Sequence, residues 1–319
     1  MTDTLISDNF PVLTKQGLYD PRFEHDACGV GLVANIKGIK SHAIISQGLQ
    51  VLINLGHRGA CGADPETGDG AGILVQIPHV FFASEFDGLG ITLPESGQYA
   101  IGMVFLPQDD DDRTVCEDTI QQVVLDEGQK FIGWRDVPVS PTAIGTLAAK
   151  RMPVIRQFFV GRDSGHENGV PFGLRLYIIR KQIEKLVLAA GVAENSGFYI
   201  CSLSSNTLVY KGLIMAHQLE HFYHDLNSEL MMTAFALVHS RFSTNTLGSW
   251  ELAHPYRYVI HNGEINTIKG NINWMKIHEQ DMSNKLFDDI ESLKPVISDG
   301  NSDSAALDNV FELLVRSGK

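Results

Sequence analysis

Four clusters of residues have the types and spacing to do chemistry. In Glu24-His25-Asp26-Ala27-Cys28-Gly29-Val30-Gly31 a potential nucleophile opens an apolar, glycine-punctuated run that continues to Ile36. The small neighbours Ala27 and Gly29 leave the Cys28 thiol and the 27–28 peptide bond sterically open. His239-Ser240-Arg241-Phe242-Ser243-Thr244-Asn245-Thr246 closes a β-branched, apolar run. An arginine among hydroxyl residues at a strand end can hold a small carboxylate through two parallel hydrogen bonds. His254-Pro255 is followed by His261-Asn262-Gly263-Glu264, where a side-chain amide sits beside an unhindered backbone N–H, the donor pair an oxyanion hole needs. Asp299-Gly300-Asn301-Ser302-Asp303-Ser304 precedes a helical pattern, and an aspartate there can bind an ammonium group.

Each cluster also has a plainer reading. A cysteine on a buried strand is ordinarily inert packing, Asn-Gly is a turn signal, and Ser302 or Asp303 suits a helix cap. Two other segments resemble known motifs. Gly68-Asp69-Gly70-Ala71-Gly72 mimics a dinucleotide loop but leads into a strand instead of a helix, so the phosphate-binding context is missing. His217-Gln218-Leu219-Glu220-His221 matches a zinc motif, with His224 a further turn along, and leaves a zinc hydrolase using His217, Glu220 and His221 as an alternative.

The elements that must position these residues follow from periodicity. Strands are expected at Cys28–Ile36, Ile73–Ile77, Tyr99–Leu106, Val154–Val160, Phe198–Ser202, Thr207–Tyr210, Thr233–His239 and Tyr256–Ile260. The pair Phe198–Tyr210 reads as a hairpin turned at Ser204-Ser205-Asn206. Helices are expected over 41–56, 112–127, 174–190, 216–226, 266–280 and 303–316, the last presenting Leu307, Val310, Phe311 and Leu314 on one face. The acidic run Asp109–Asp112 suits a helix N-terminus. Strands and helices come in clusters, which favours α+β layers over a doubly wound parallel sheet.

Composition narrows the function classes. The 319 residues carry 25 Lys+Arg against 38 Asp+Glu, a formal charge of −13. An acidic surface disfavours nucleic acid and anionic lipid. The longest uncharged stretch, Ser41–His57, contains Gln47, Gln50 and Asn54 and so lacks the ~20 apolar residues of a membrane span. The four cysteines, Cys28, Cys61, Cys116 and Cys201, show neither zinc spacing nor a disulfide framework. The first fifteen residues have no secretory signal, and a cytoplasmic location is expected.

Taken in this order, the four clusters resemble the glutamine amidotransferase domain of class II, an N-terminal nucleophile (Ntn) hydrolase. Gly17-Leu18-Tyr19-Asp20-Pro21, His57-Arg58-Gly59-Ala60-Cys61-Gly62-Ala63-Asp64 and Thr67-Gly68-Asp69-Gly70-Ala71-Gly72 look specifically like the glutamate synthase large-subunit branch. The long stretch between Cys28 and Arg241 is similar to that enlarged branch as well. The resemblance implies a four-layer αββα sandwich of two mainly antiparallel sheets between helical layers. It further implies that residues 1–27 are a leader removed on maturation and that 28–319 form the amidotransferase domain, expected to be truncated at its C-terminus. Cys28 would be nucleophile, Asn262 and Gly263 the oxyanion donors, Arg241 the α-carboxylate ligand and Asp303 the α-ammonium ligand. Arg58, Thr244 and His254 would line or order the pocket. A free α-amino group on Cys28, with an ordinary pKa of ~7.7–8.0, would serve as the base for its own thiol. The expected reaction is hydrolysis of L-glutamine to glutamate and ammonia through a cysteinyl thioester. By the same resemblance, ammonia passes to 2-oxoglutarate in downstream glutamate synthase domains that hold FMN and an iron–sulfur cluster, served in some cases by a small electron-donor subunit. No cofactor or metal is expected in this chain. The contrasting reading is a non-catalytic, unprocessed interaction module with the same fold.

Overall fold

The computed structural model describes residues 15, 17, 20, 29–59, 61, 64–163, 170–193, 196–240, 248–261, 264–283, 289–298, 300 and 302–318. Eight strands form two antiparallel four-stranded sheets. The first runs in the order β1 (Val30–Ala34), β8 (Phe235–Ser240), β2 (Ala71–Gln76), β7 (Thr207–Gly212). The second runs β4 (Lys130–Asp136), β5 (Val154–Gly161), β3 (Tyr99–Leu106), β6 (Tyr199–Ser204).

Period-two patterning sets the layers. In β3, Tyr99, Ile101, Met103 and Phe105 enter a core shared with Ile73, Val75, Leu208 and Tyr210 of the first sheet. The intervening Ala100, Val104 and Leu106 face a second core. Helices α3 (Asp110–Asp126) and α5 (Phe172–Ala189) close that second core with Ile120, Val124, Ile179 and Ile183. Helix α1 (His42–Asn54) packs on the first sheet, where a Cβ at its Gly48 would lie 2.9 Å from the Ala236 side chain. The result is an α+β sandwich of two antiparallel sheets flanked by helices, the architecture the resemblance implies. The Asp109 carboxylate caps α3 by accepting from the backbone N–H groups of Asp111 and Asp112.

Several expectations are corrected. The segment Phe198–Tyr210 is not a hairpin within one sheet: β6 pairs with β3 and β7 with β2, so the Ser204–Asn206 turn crosses between sheets. Tyr256–Ile260 is not a strand, because the Tyr258 and Val259 N–H groups are taken by the Asp308 carboxylate at 2.7 and 3.0 Å instead of by a ladder. Helices α2 (His79–Asp87) and α4 (Thr146–Lys150) and strand β4 were not anticipated. Helix α7 (Ile268–Gln280) forms at the periphery. Helix α8 (Asp303–Arg316) forms, but its inward face is polar: Asp308, Asn309 and Glu312 are buried while Phe311 and Leu314 are 44% and 41% exposed. The cause is ionic. Arg180 of α5 and Arg257 draw Glu312 and Asp308 inward, with Arg180 donating to Glu312 at 2.6 Å.

Candidate active site

Five of the expected site residues, Cys28, Arg241, Thr244, Asn262 and Gly263, lie outside the described residues. Their described neighbours in sequence converge at one end of the first sheet. The Ser240 N–H donates to the Gly29 carbonyl at 2.7 Å, one step beyond the Val30–His239 pair of the β1/β8 ladder. Ala71 of β2 faces Ser240 from the other side. Antiparallel register therefore ties the residue after Cys28 to the residue before Arg241, although they are far apart in the chain.

Beside Ser240 lies a cavity of about 180 Å³. Its walls include Gly59, Cys61, Asp69, Met215 and His217. Between Cys61 and Asp69, residues 64–67 are tied to their surroundings by hydrogen bonds. Asp64 accepts from the Thr67 hydroxyl at 2.8 Å and from the Leu147 N–H at 3.2 Å, while Gln218 donates to the Glu66 carbonyl at 2.9 Å. These bonds hold the Asp64 carboxyl below its ordinary pKa, the Thr67 bond contributing most. The turn accepts only glycine at 68, since a Cβ there would sit 2.3 Å from the Ile214 carbonyl carbon. Arg58 ends the 3₁₀ turn Leu55–Arg58 next to Gly59, half-buried, and its Nε meets no hydrogen-bond partner among the described residues.

On the other side of Ser240 runs a column of rings. His239, 1% exposed, stacks on His254 with centroids 4.4 Å apart and planes 23° apart, and His254 meets Tyr256 at 4.2 Å. The Tyr256 hydroxyl donates to the Leu252 carbonyl and lies 3.0 Å from the hydroxyl of Ser302, the N-cap of α8. The His254 carbonyl crosses directly over Gly72 of β2, where a Cβ would come within 2.5 Å of it. His254 is buried inside this column, so burial, reinforced by His239, Lys211 and His261, holds its imidazole well below the usual pKa and neutral.

The column connects two of the clusters. The His239 Nε2 lies 3.0 Å from the His261 carbonyl, immediately before Asn262. Two residues after Gly263, the Ile265 N–H donates to Asp303 Oδ2 at 2.6 Å. Asp303, half-buried, opens α8 where the helix dipole favours its charge, and its Oδ1 accepts from the Ser304 N–H at 2.7 Å. Ser302 performs the cap by accepting from Ala305 N–H, which leaves Asp303 for another role. Beneath them Asp308 is buried against Arg257 and accepts the Tyr258 and Val259 N–H groups, and burial raises its carboxyl pKa. Arg257 and Asp308 were missed in the sequence. The available signal was an aspartate one turn into α8 beyond Asp303, out of place in an apolar reading of that helix.

The zinc alternative loses its scaffold. The expected helix over 216–226 is two 3₁₀ turns, Ala216–Gln218 and His224–Asn227, around one α-turn (α6, Leu219–Phe222). His224 lies 2.6 Å from the Ser140 hydroxyl, and no acidic, histidine or cysteine group among the described residues forms a metal cluster.

Residues 28–319 match the family model for glutamine amidotransferases class-II. The chain belongs to the class II glutamine amidotransferases. Curated relatives narrow the likeness. The chain is 51% identical over 305 residues to the glutamate synthase [NADPH] large chain of Bacillus subtilis, covering 95% of this chain and 20% of that protein. It is 43% identical to the glutamate synthase [NADH] of Saccharomyces cerevisiae, over 95% of this chain and 14% of the relative. It is 40% identical to the ferredoxin-dependent glutamate synthase 2 of Synechocystis, over 100% of this chain and 20% of the relative. The amidotransferase chain thus spans about a fifth or less of the length of these relatives. Neither the zinc hydrolase nor the interaction-module alternative gains support from them. The three relatives differ in the electron donor they are named for, so likeness in this region does not select one. No described helix is long and apolar enough to cross a membrane.

Proposed function

We propose that this chain hydrolyses the carboxamide of L-glutamine, as the ammonia-producing part of a glutamate synthase, with Cys28 as nucleophile after removal of residues 1–27. The observation that carries the reading is the set of hydrogen bonds that ties Gly29 to Ser240, His239 to the His261 carbonyl and Ile265 to Asp303 at one end of the first sheet, with a cavity against Ser240. These residues adjoin or belong to the four clusters. The family match starting at residue 28 supports the maturation boundary.

The steps follow from the residue types. The α-amino group of Cys28 takes the thiol proton, the thiolate attacks the glutamine carboxamide carbon, and the oxyanion is held by the Asn262 amide and the Gly263 N–H. Collapse expels ammonia, which leaves with the proton returned by the amine. Water then cleaves the γ-glutamyl thioester to glutamate and restores the thiol. Arg241 clamps the α-carboxylate, Asp303 pairs with the α-ammonium, and Arg58 and Thr244 complete the pocket. His254 supports the site from within the ring column. While Ala27 remains attached, the Cys28 nitrogen is an amide and cannot act as base, so the unprocessed chain is a zymogen.

Ammonia then passes to 2-oxoglutarate in a part of the protein outside this chain, where FMN and an iron–sulfur cluster supply reducing equivalents. The described cysteines do not suit a cluster: Cys61 is exposed in the loop, while Cys116 on α3 and Cys201 on β6 are buried, their thiols pushed up to about 12 by burial. No step in this chain uses either group. The downstream domains, and in some enzymes a small electron-donor subunit, are its protein partners, in the cytoplasm.

Glutaminase assays test the reading. C28A should abolish activity. N262A should lower kcat by about 10²–10³-fold, the loss of one oxyanion donor. R241K, which loses the bidentate clamp, should raise KM for glutamine much more than it lowers kcat. Full activity in C28A would overturn the proposal.

A further inference from the structure

We propose that His239 is a positioning residue for the oxyanion donors, acting through the His261 carbonyl; the inference rests on the glutaminase reading above. His239, the last residue but one of β8, is in register with Val30 of β1, two residues from Cys28, and with Gly72 of β2. It is fixed to the same strands that bring Gly29 to Ser240. Its ring is 1% exposed and locked by the near-parallel stack on His254. Its Nε2 lies 3.0 Å from the carbonyl of His261. A carbonyl only accepts, so Nε2 carries the proton and donates. The next residue in the chain is Asn262.

The chemical consequence is specific. An oxyanion hole works through donors aligned before charge develops, and a displacement near 1 Å costs roughly 10²-fold in rate. The described residues 257–261, which lead into Asn262, belong to no strand. The bonds on the described flanks of the 262–263 segment include His239 to the His261 carbonyl and the His261 ring to the Ser304 hydroxyl before it, and Ile265 to Asp303 after it. The Ile265 bond engages an expected substrate ligand. The His239 bond is made by a residue with no other role in the proposed reaction, and it connects the oxyanion segment to the nucleophile's sheet. His239 therefore sets where the donors stand relative to the attacking thiol, without touching substrate.

The pair H239N and H239Q separates this role from packing. The glutamine amide reaches about as far as Nε2 and keeps the donor, whereas the asparagine amide stops near the Nδ1 position and loses it. In the full processed chain, H239N should lower kcat for glutamine hydrolysis roughly 10- to 100-fold. Its affinity for glutamate, read by calorimetry, should stay within about twofold, because the carboxylate and ammonium ligands are elsewhere. H239Q should recover most of the lost kcat. Equal kcat in H239N and wild type, or equal losses in H239N and H239Q, would overturn the proposal. Should H239N fail to fold, the wild-type tautomer decides: ¹⁵N NMR should find His239 protonated on Nε2, and an Nδ1-protonated ring would overturn it. N262A measured in parallel keeps the two readings apart. If N262A is impaired and H239N is not, only the role of His239 fails; if N262A is also unimpaired, the glutaminase assignment fails with it.

Discussion

At the scale of single residues, the candidate site depends on burial as much as on the reacting groups. His254 is neutral because it is buried between two rings, not because it bonds a carboxylate. This has a pH consequence with a definite sign. In the unfolded chain its pKa is near ~6.5, and in the fold it is far lower, so below about pH 6.5 the unfolded state takes a proton that the native state refuses. Its contribution to stability is complete above about pH 6.5 and falls as the pH drops, by at most ~1.4 kcal/mol per pH unit. Melting curves at pH 5 and pH 7.5 should therefore differ more for wild type than for H254Q. Equal pH dependence in the two proteins would contradict the buried neutral ring. The proposed chemistry-bearing residues were nominated from type and spacing, since thiol, Asn-Gly and Arg among hydroxyls each suggest a role on their own. The supporting residues were not. His239 stood in the sequence two positions before Arg241, but nothing local announces that its ring spans to a carbonyl 22 residues away.

At the scale of elements, the proposed function has α8 connect stability to substrate binding. Its N-cap Ser302 contacts Tyr256 of the ring column, and its first residue is Asp303. S302A should cost about 1 kcal/mol, an ordinary cap loss, and should also raise KM for glutamine by loosening Asp303. D109A, which removes the corresponding cap from α3, should cost a similar amount and leave KM unchanged. Urea unfolding and steady-state kinetics on both variants check the contrast; parallel KM changes would refute it. Long, strongly patterned elements such as β3, α3 and α5 could be read from sequence because their periodicity coincides with a large buried face. Strand β4 escaped because a register shift between Phe131 and Gly133 breaks its alternation. The segment 256–260 misled because its apolar pattern lacks a ladder partner and is satisfied by Asp308. The inward face of α8 was misread because buried arginines on distant elements reverse the usual rule that charge faces water.

At the scale of the molecule, two antiparallel sheets and their helices bring residues more than two hundred positions apart to one sheet end. That long-range pairing was available from sequence only through the resemblance, because strand register depends on contacts no local pattern encodes. Net charge of −13 suits the proposed site, whose cationic requirement is limited to a small amino acid's carboxylate. The central claim concerns the whole chain: it matures to expose Cys28, and Cys28 is the single nucleophile. Intact mass spectrometry of the purified protein, before and after treatment with an electrophilic glutamine analogue, tests it most directly. The account predicts a mass corresponding to residues 28–319 and one adduct that maps to Cys28. A chain that keeps residues 1–27, or an adduct on Cys61 with Cys28 unmodified, would contradict it.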